Sequence, residues 1–300
     1  MMIKAEDISK SFEKLKALDM VNLNVNKGSI YGLIGSNGAG KTTLLKTLVG
    51  IYKQDKGKAY ISGEEVFENI EKKAKLMFIP DTLYFFPQFS IKDMAKFYKS
   101  IYSSWDAERY EILKATFNIE ENKKIHRLSK GMQKQVAIWL ALCVKPDIMV
   151  LDEPFDGLDP VMRKKIKNLL IQDVADKEMT ILISSHNLRE LEDFCDNIGI
   201  LHEGKLLVQM ELDDLKSDIH KIQVAFKENI PEELLADANV LYKEIRGSVK
   251  LYIVRGKKDE LIQKIMKYEP AILDVLPLSL EEIFIYEMGD VGYEIKNIII

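Results

Sequence analysis

The order of apolar and polar positions divides the chain into stretches before any chemistry is considered. Residues 2–9 and 21–26 alternate between apolar and polar side chains, the period of a strand with one face in water. The run Ile30-Tyr31-Gly32-Leu33-Ile34 lacks that alternation and predicts a strand buried on both faces. A glycine-rich turn comes next, then a helix carrying Leu44, Leu45, Leu48 and Val49, with Gly50 placed to end it. Lys58–Ile61, Leu76–Ile79, Ile148–Leu151 and Thr180–Ser184 predict further strands. Ile198–Leu201 and Leu206–Val208, with Glu203-Gly204-Lys205 between them, predict a closing hairpin. From about residue 85 to 146 the apolar positions, such as Ile91, Met94, Ala95, Phe97 and Tyr98, take helical spacing. That stretch reads as a helical subdomain inserted into an α/β core. Its entrance, Tyr84-Phe85-Phe86-Pro87, is an aromatic cluster that suits packing or a docking surface.

Beyond Asp218 a second unit begins. Ile222, Val224 and Phe226 alternate, as do Val249, Leu251 and Ile253, and residues 258–268 have helical spacing. Ser279-Leu280-Glu281-Glu282 is a capping box that opens a last helix through Ile283 and Phe284. The expected organisation is therefore an α/β domain over 1–217 and a small α/β accessory domain over 218–300. The first has an N-terminal antiparallel β subdomain, a mixed sheet and the helical insertion. No chemistry is legible in the second.

Composition narrows the function. With 300 residues the chain exceeds one minimal core, and 47% hydrophobic with 30% charged residues describes a globular protein. The net charge of −4 gives no basic surface for nucleic acid. Cys143 and Cys195, both in apolar helical contexts, suit free thiols in a reducing cytosol. The first ten residues carry Lys4, Glu6, Asp7 and Lys10, so no signal peptide is expected, and no window reaches the ~20 apolar residues of a membrane span. Ile298-Ile299-Ile300 is too short for one and reads as an edge strand or sticky end. If the protein serves a membrane, another chain supplies the spans.

The chemistry concentrates at strand ends. Gly35-Ser36-Asn37-Gly38-Ala39-Gly40-Lys41-Thr42-Thr43, between a buried strand and a helix, fits G-x-x-x-x-G-K-[ST]. Its glycines bring backbone N–H groups around phosphate oxygens, and the helix start adds the positive end of its dipole. Lys41 would reach the β- and γ-phosphates and Thr42 would ligate Mg²⁺. Asp152 and Glu153 emerge from the next strong strand: one carboxylate suits the Mg²⁺ shell, the other a water polarised for attack on the γ-phosphate. Asp81 ends the Leu76–Ile79 strand and is either a metal-side or phosphate-side residue or a turn former after Pro80. Ser129 is placed to cap the helix that carries Met132, Val136, Trp139, Leu140 and Cys143. Asp159 is a candidate N-cap with Pro160 at the first helical position. Among the four histidines His186 alone stands at a strand end, and His126, His202 and His220 are expected at the surface. Phe12, in the segment Lys10–Lys14, is open to two readings, base stacking or a place in the core.

Gly35–Thr43, Leu128–Gln135, Leu151–Pro154, Gly157–Pro160 and His186 occur in the order that resembles the ATP-binding subunits of ABC transporters. The resemblance covers residues 1 to about 215. It implies a P-loop ATPase core that binds ATP and Mg²⁺ through Gly35, Asn37, Gly38, Gly40, Lys41, Thr42 and Thr43. It implies Asp152 at the metal, Glu153 as general base, His186 as a switch and Phe12 on the adenine. Two subunits would enclose two ATP molecules, with Ser129, Gly131 and Asp159 acting across the interface. Departures stand at Lys130 and Met132, in place of Gly and Gln, and at Asp81, in place of Gln. Similar variants occur in a branch of bacterial exporters whose permeases are separate chains. That implies a cytoplasmic subunit held at the inner face of the membrane by a transmembrane permease, beside a second ATPase subunit. The alternatives are a soluble ATPase of the same family without a membrane partner and a P-loop kinase, which has no use for the Leu128–Gln135 element.

Overall fold

The computed structural model describes residues 1–214, 219–226, 235, 238–279 and 281–283. In chain order the elements are β1 (Ile3–Phe12), β2 (Leu15–Val25), β3 (Ile30–Ile34), α1 (Lys41–Leu48), β4 (Lys56–Ile61), β5 (Glu64–Glu65), α2 (Ile70–Ala74) and β6 (Leu76–Ile79). Next come α3 (Ile91–Ile101), α4 (Ala107–Phe117), a 3₁₀ turn (Ile125–Arg127), α5 (Lys130–Val144), β7 (Ile148–Asp152), α6 (Pro160–Lys177), β8 (Thr180–Ser185), α7 (Leu188–Leu191), β9 (Asn197–His202) and β10 (Lys205–Glu211). The rest is β11 (Ile219–Ala225), β12 (Asn239–Arg246), β13 (Val249–Arg255), α8 (Lys258–Met266) and β14 (Ile272–Leu276). Two compact units result, Met1–Gln209 and Met210–Ile300. The division falls a little before the expected one, at the end of the hairpin strand β10.

The first unit holds two sheets. One is four-stranded, ordered β2-β1-β4-β5, and antiparallel throughout. The other is six-stranded, ordered β10-β9-β3-β8-β7-β6, in which β9, β3, β8, β7 and β6 run parallel. Every residue of β3, β7 and β8 is buried, which is why their central positions read as apolar runs, with polar residues at the ends of β7 and β8. Helix α1 packs between the sheets: Leu44, Leu45 and Leu48 join one cluster with Ile3, Leu18 and Leu23 of the antiparallel sheet and Leu33, Val150 and Leu182 of the other. Each such side chain contributes about 1.5–3 kcal/mol of burial, and together they fix where the glycine-rich loop leaves β3.

The helical insertion forms as its spacing predicts. Ser90 and Asp93 make a reciprocal capping box that starts α3, and Asp106 caps α4 by accepting from the Arg109 N–H. Trp139, fully buried on α5, stacks on Tyr110 at 4.9 Å between ring centres. That contact ties α4 to the helix whose start belongs to the site.

The second unit is an antiparallel sheet ordered β12-β13-β11-β14 with α8. Ile222, Val224, Val254, Leu261 and Ile265 form its core. Strands β12 and β14, in which charged residues interrupt the alternation, are additions to the sequence reading. Ser279 and Glu282 make the expected capping box, each backbone N–H donating to the other's side chain. Phe284 and the Ile298–Ile300 tail lie outside the described residues. His220, expected at the surface, is only 9% exposed on β11, because the strand's alternation turns that position inward; His202 is half-buried and His126 exposed.

Candidate active site

Strands β3, β6, β7 and β8 run the same way, so their C-terminal ends deliver Gly35, Asp81, Asp152, Glu153 and His186 to one edge of the sheet. A cleft of about 750 Å³ opens there, walled by Phe12, Lys16, Asn37, Gly38, Gly40 and Lys41, among others including Thr42, Thr43, Asp81 and Glu153. Gly40 has φ +105°, and a Cβ on it would lie 2.6 Å from the Ala17 carbonyl oxygen, so any larger residue would force the loop off β2. It opens α1 with no side-chain cap, leaving the helix's first amides without a protein cap at the cleft.

Lys41 is 6% exposed and folds back over its own loop. Its ammonium donates to the carbonyl of Gly35 at 2.7 Å and that of Ser36 at 3.3 Å, and lies 3.2 Å from Glu153 Oε1. The last contact has ion-pair distance without hydrogen-bond alignment, and Glu153 Oε1 is otherwise a buried oxygen without a hydrogen bond. Thr42 Oγ1 donates to Asp152 Oδ2 at 2.7 Å, and Ser184 Oγ donates to Asp152 Oδ1 at 2.7 Å. The same Ser184 hydroxyl accepts the Glu153 N–H at 3.1 Å. Glu153 has φ +47°, a left-handed backbone that a side-chain-bearing residue adopts only where its surroundings enforce it. Its Oε2 meets His186 Nδ1 at 3.0 Å.

These residues fit a nucleotide and a hard cation. A hydroxyl and a buried carboxylate side by side are oxygen donors of the kind Mg²⁺ takes, and a buried lysine with uncapped amides suits phosphate. Asp81 lines the same cleft, but one of its oxygens accepts from Lys134 at 3.1 Å. Phe12 is neither in the core nor in a connecting segment: it ends β1, 39% exposed, at the cleft wall. Tyr52 stands edge-on to it at 5.4 Å.

Ser129, Gly131 and Asp159 are brought together elsewhere and do not line the cleft. Ser129 accepts the Met132 N–H and caps α5, and Asp159 accepts the Met162 N–H and caps α6 behind Pro160. A Cβ on Gly131 would sit 2.4 Å from the Gly157 carbonyl oxygen, so the start of α5 rests directly on the loop that leads into α6. Sequence reasoning missed Ser184 and Lys134. Ser184 meets Asp152 through the register of β8 with β7, a pairing that residue order alone does not fix. Lys134 had no signal, because its partners lie far away in the chain.

The family model described as "ABC transporter" matches residues 18–156. The ABC transporter ATP-binding protein YtrB of Bacillus subtilis (strain 168) is 31% identical over 96% of this chain and 98% of its own length. The bacitracin transport ATP-binding protein BcrA of Bacillus licheniformis is 34% identical over 72% of this chain and 71% of its own. A solved ATP-binding subunit of an ABC transporter superposes with a TM-score of 0.66 at 27% identity, covering 72% of this chain and 92% of that one. With the phosphate loop, the paired carboxylates and the cleft between them, these likenesses place the chain in the ABC transporter ATP-binding family, as an ATP-hydrolysing subunit.

Proposed function

We propose that this subunit powers export through a separate membrane-spanning permease, and that it works as one of two ATPase subunits closing on ATP. The observation that carries the reading is the division of the site into two clusters. Lys41, Thr42, Asp152 and Glu153 surround the cleft, whereas Ser129, Gly131 and Asp159 are grouped apart from it. A second copy, or a related chain, would offer its Ser129 and Gly131 to the γ-phosphate held by the first. ATP then has contacts in the closed pair that neither subunit provides alone, which is the differential affinity any ligand-driven switch requires.

Thr42 and Asp152 would hold Mg²⁺, which when bound neutralises charge on the β- and γ-phosphates. Glu153 is the general base for the attacking water, and His186, hydrogen-bonded to the same carboxylate, orients it. Phe12 offers an exposed face for the adenine. A role in transport is supported by the similarity to a bacitracin transport subunit, and export is the direction this reading assigns. No described helix is long and apolar enough to cross a membrane, so in this reading the permease holds the subunit peripherally at the inner face. Selection of cargo belongs to that permease.

The test is the Glu153→Gln variant at saturating ATP and Mg²⁺, subjected to sizing in solution. It is expected to accumulate as a dimer with ATP bound. A monomer under those conditions, with ATP bound, would overturn the joint-site reading.

A further inference from the structure

Lys134 plays no part in that scheme, yet it joins three elements at the cleft. It lies in the second turn of α5, 6% exposed. Its ammonium donates to Asp81 Oδ1, just beyond β6, at 3.1 Å, and to the main-chain oxygen of Glu153, just beyond β7, at 2.6 Å. A buried ammonium needs such partners, because burial without them leaves its charge uncompensated. The Asp81 side chain is 53% exposed, so attraction to it alone adds little stability. The positional consequence is greater. The left-handed Glu153 peptide is held on its N–H side by Ser184 and on its carbonyl side by Lys134, with the Asp156 N–H a longer contact at 3.4 Å. Losing the ammonium frees one of the two short restraints on the Glu153 main chain, the one on the peptide that follows it.

We propose that Lys134 is a positioning residue for hydrolysis: clasped between Asp81 and the Glu153 carbonyl, it fixes the peptide from which the Glu153 carboxylate projects. Asp81 thereby acts on the reaction through Lys134, as the counter-ion that keeps the ammonium in place. The inference rests on Glu153 serving as the general base.

The experiment measures steady-state phosphate release by the full chain with ATP and Mg²⁺, alongside ATP affinity by equilibrium binding and thermal unfolding as a check of fold. The variants are Lys134→Met, Lys134→Arg, Asp81→Asn, the Lys134→Met/Asp81→Asn double and Glu153→Gln. Lys134→Met is expected to lower kcat on the order of 10- to 100-fold with KM little changed, the split of a misplaced catalytic group. Lys134→Arg recovers most of the loss by restoring a cation and its donors. Asp81→Asn loses less, and the double is no slower than Lys134→Met, because both changes act through one ammonium. Native kcat in Lys134→Met, or losses that multiply in the double, overturns the proposal. Asp81 is half exposed and tolerates Asn, so native kcat in Asp81→Asn overturns it even where Lys134→Met fails to fold. An inactive Glu153→Gln beside a native-like Lys134→Met rejects the positioning role alone, whereas native turnover in Glu153→Gln rejects the assignment beneath it.

Discussion

The parallel strands of the first unit and the antiparallel sheet of the second both bury apolar residues, but among the described residues only the first gathers a cluster of site groups at one edge. In the first, β3, β6, β7 and β8 end together, and Gly35, Asp81, Glu153 and His186 stand at or just past those ends. In the second, β11 lies antiparallel to both β13 and β14, so neighbouring strands end on opposite sides. Ile222, Val224 and Val254 are as deeply buried as anything around the P-loop. Strand direction, more than depth of burial, decides whether separate segments can pool their chemistry.

The strongest way to break that contrast is at the β7 terminus. Glu153→Gln is expected to lower ATP turnover by about 10²–10⁴-fold, measured as phosphate release, while ATP still binds. Turnover near the native rate would deny the parallel edge its chemistry. Next in size is the core of the second unit, where Ile222→Ala should cost about 2–5 kcal/mol of that unit's stability by denaturant unfolding. ATP affinity should stay within about twofold, and a larger loss would show that the second sheet serves the site after all. Ser129→Ala should cost about 1 kcal/mol in the nucleotide-free protein, the value of a helix cap. An additional failure to associate with ATP would then belong to the joint site and not to the cap.

The smallest effect separates burial from chemistry inside the first unit. Burial pushes the Cys143 thiol up to about 12. Because the folded value exceeds the unfolded one, near 8.5, the stability it contributes is complete below about pH 8.5 and fades as pH rises toward 12. The native protein should resist thiol reagents at neutral pH, and Cys143→Ala should flatten the alkaline decline measured by unfolding.

Much of this was legible from residue order. Strands buried on both faces announce themselves as unbroken apolar runs, so β3, β6 and β7 were found almost to the residue. The phosphate loop and the Ser129 and Asp159 caps were equally local signals. The features that escaped are non-local. Lys134 meets Asp81 only because α5 lies beside β6, and Ser184 meets Asp152 only through the register of β7 with β8. Asp81 kept two open readings for the same reason: a turn former and a cleft residue look alike until its counter-ion is in view. On the edge strand β12, Lys243, Glu244 and Arg246 mask the apolar alternation that betrayed β13.

Lys41 carries a last consequence. Its ammonium is already satisfied by the carbonyls of Gly35 and Ser36 and faces the Glu153 carboxylate. The loop is thus braced by its own cation, which keeps the ring of amides open. In the proposed mechanism a triphosphate would replace two carbonyls and one carboxylate with phosphate oxygens, so the already buried lysine need not be dehydrated afresh. The Glu153 carboxylate would lose that neighbour as the substrate is seated, and so be freed to act as the base.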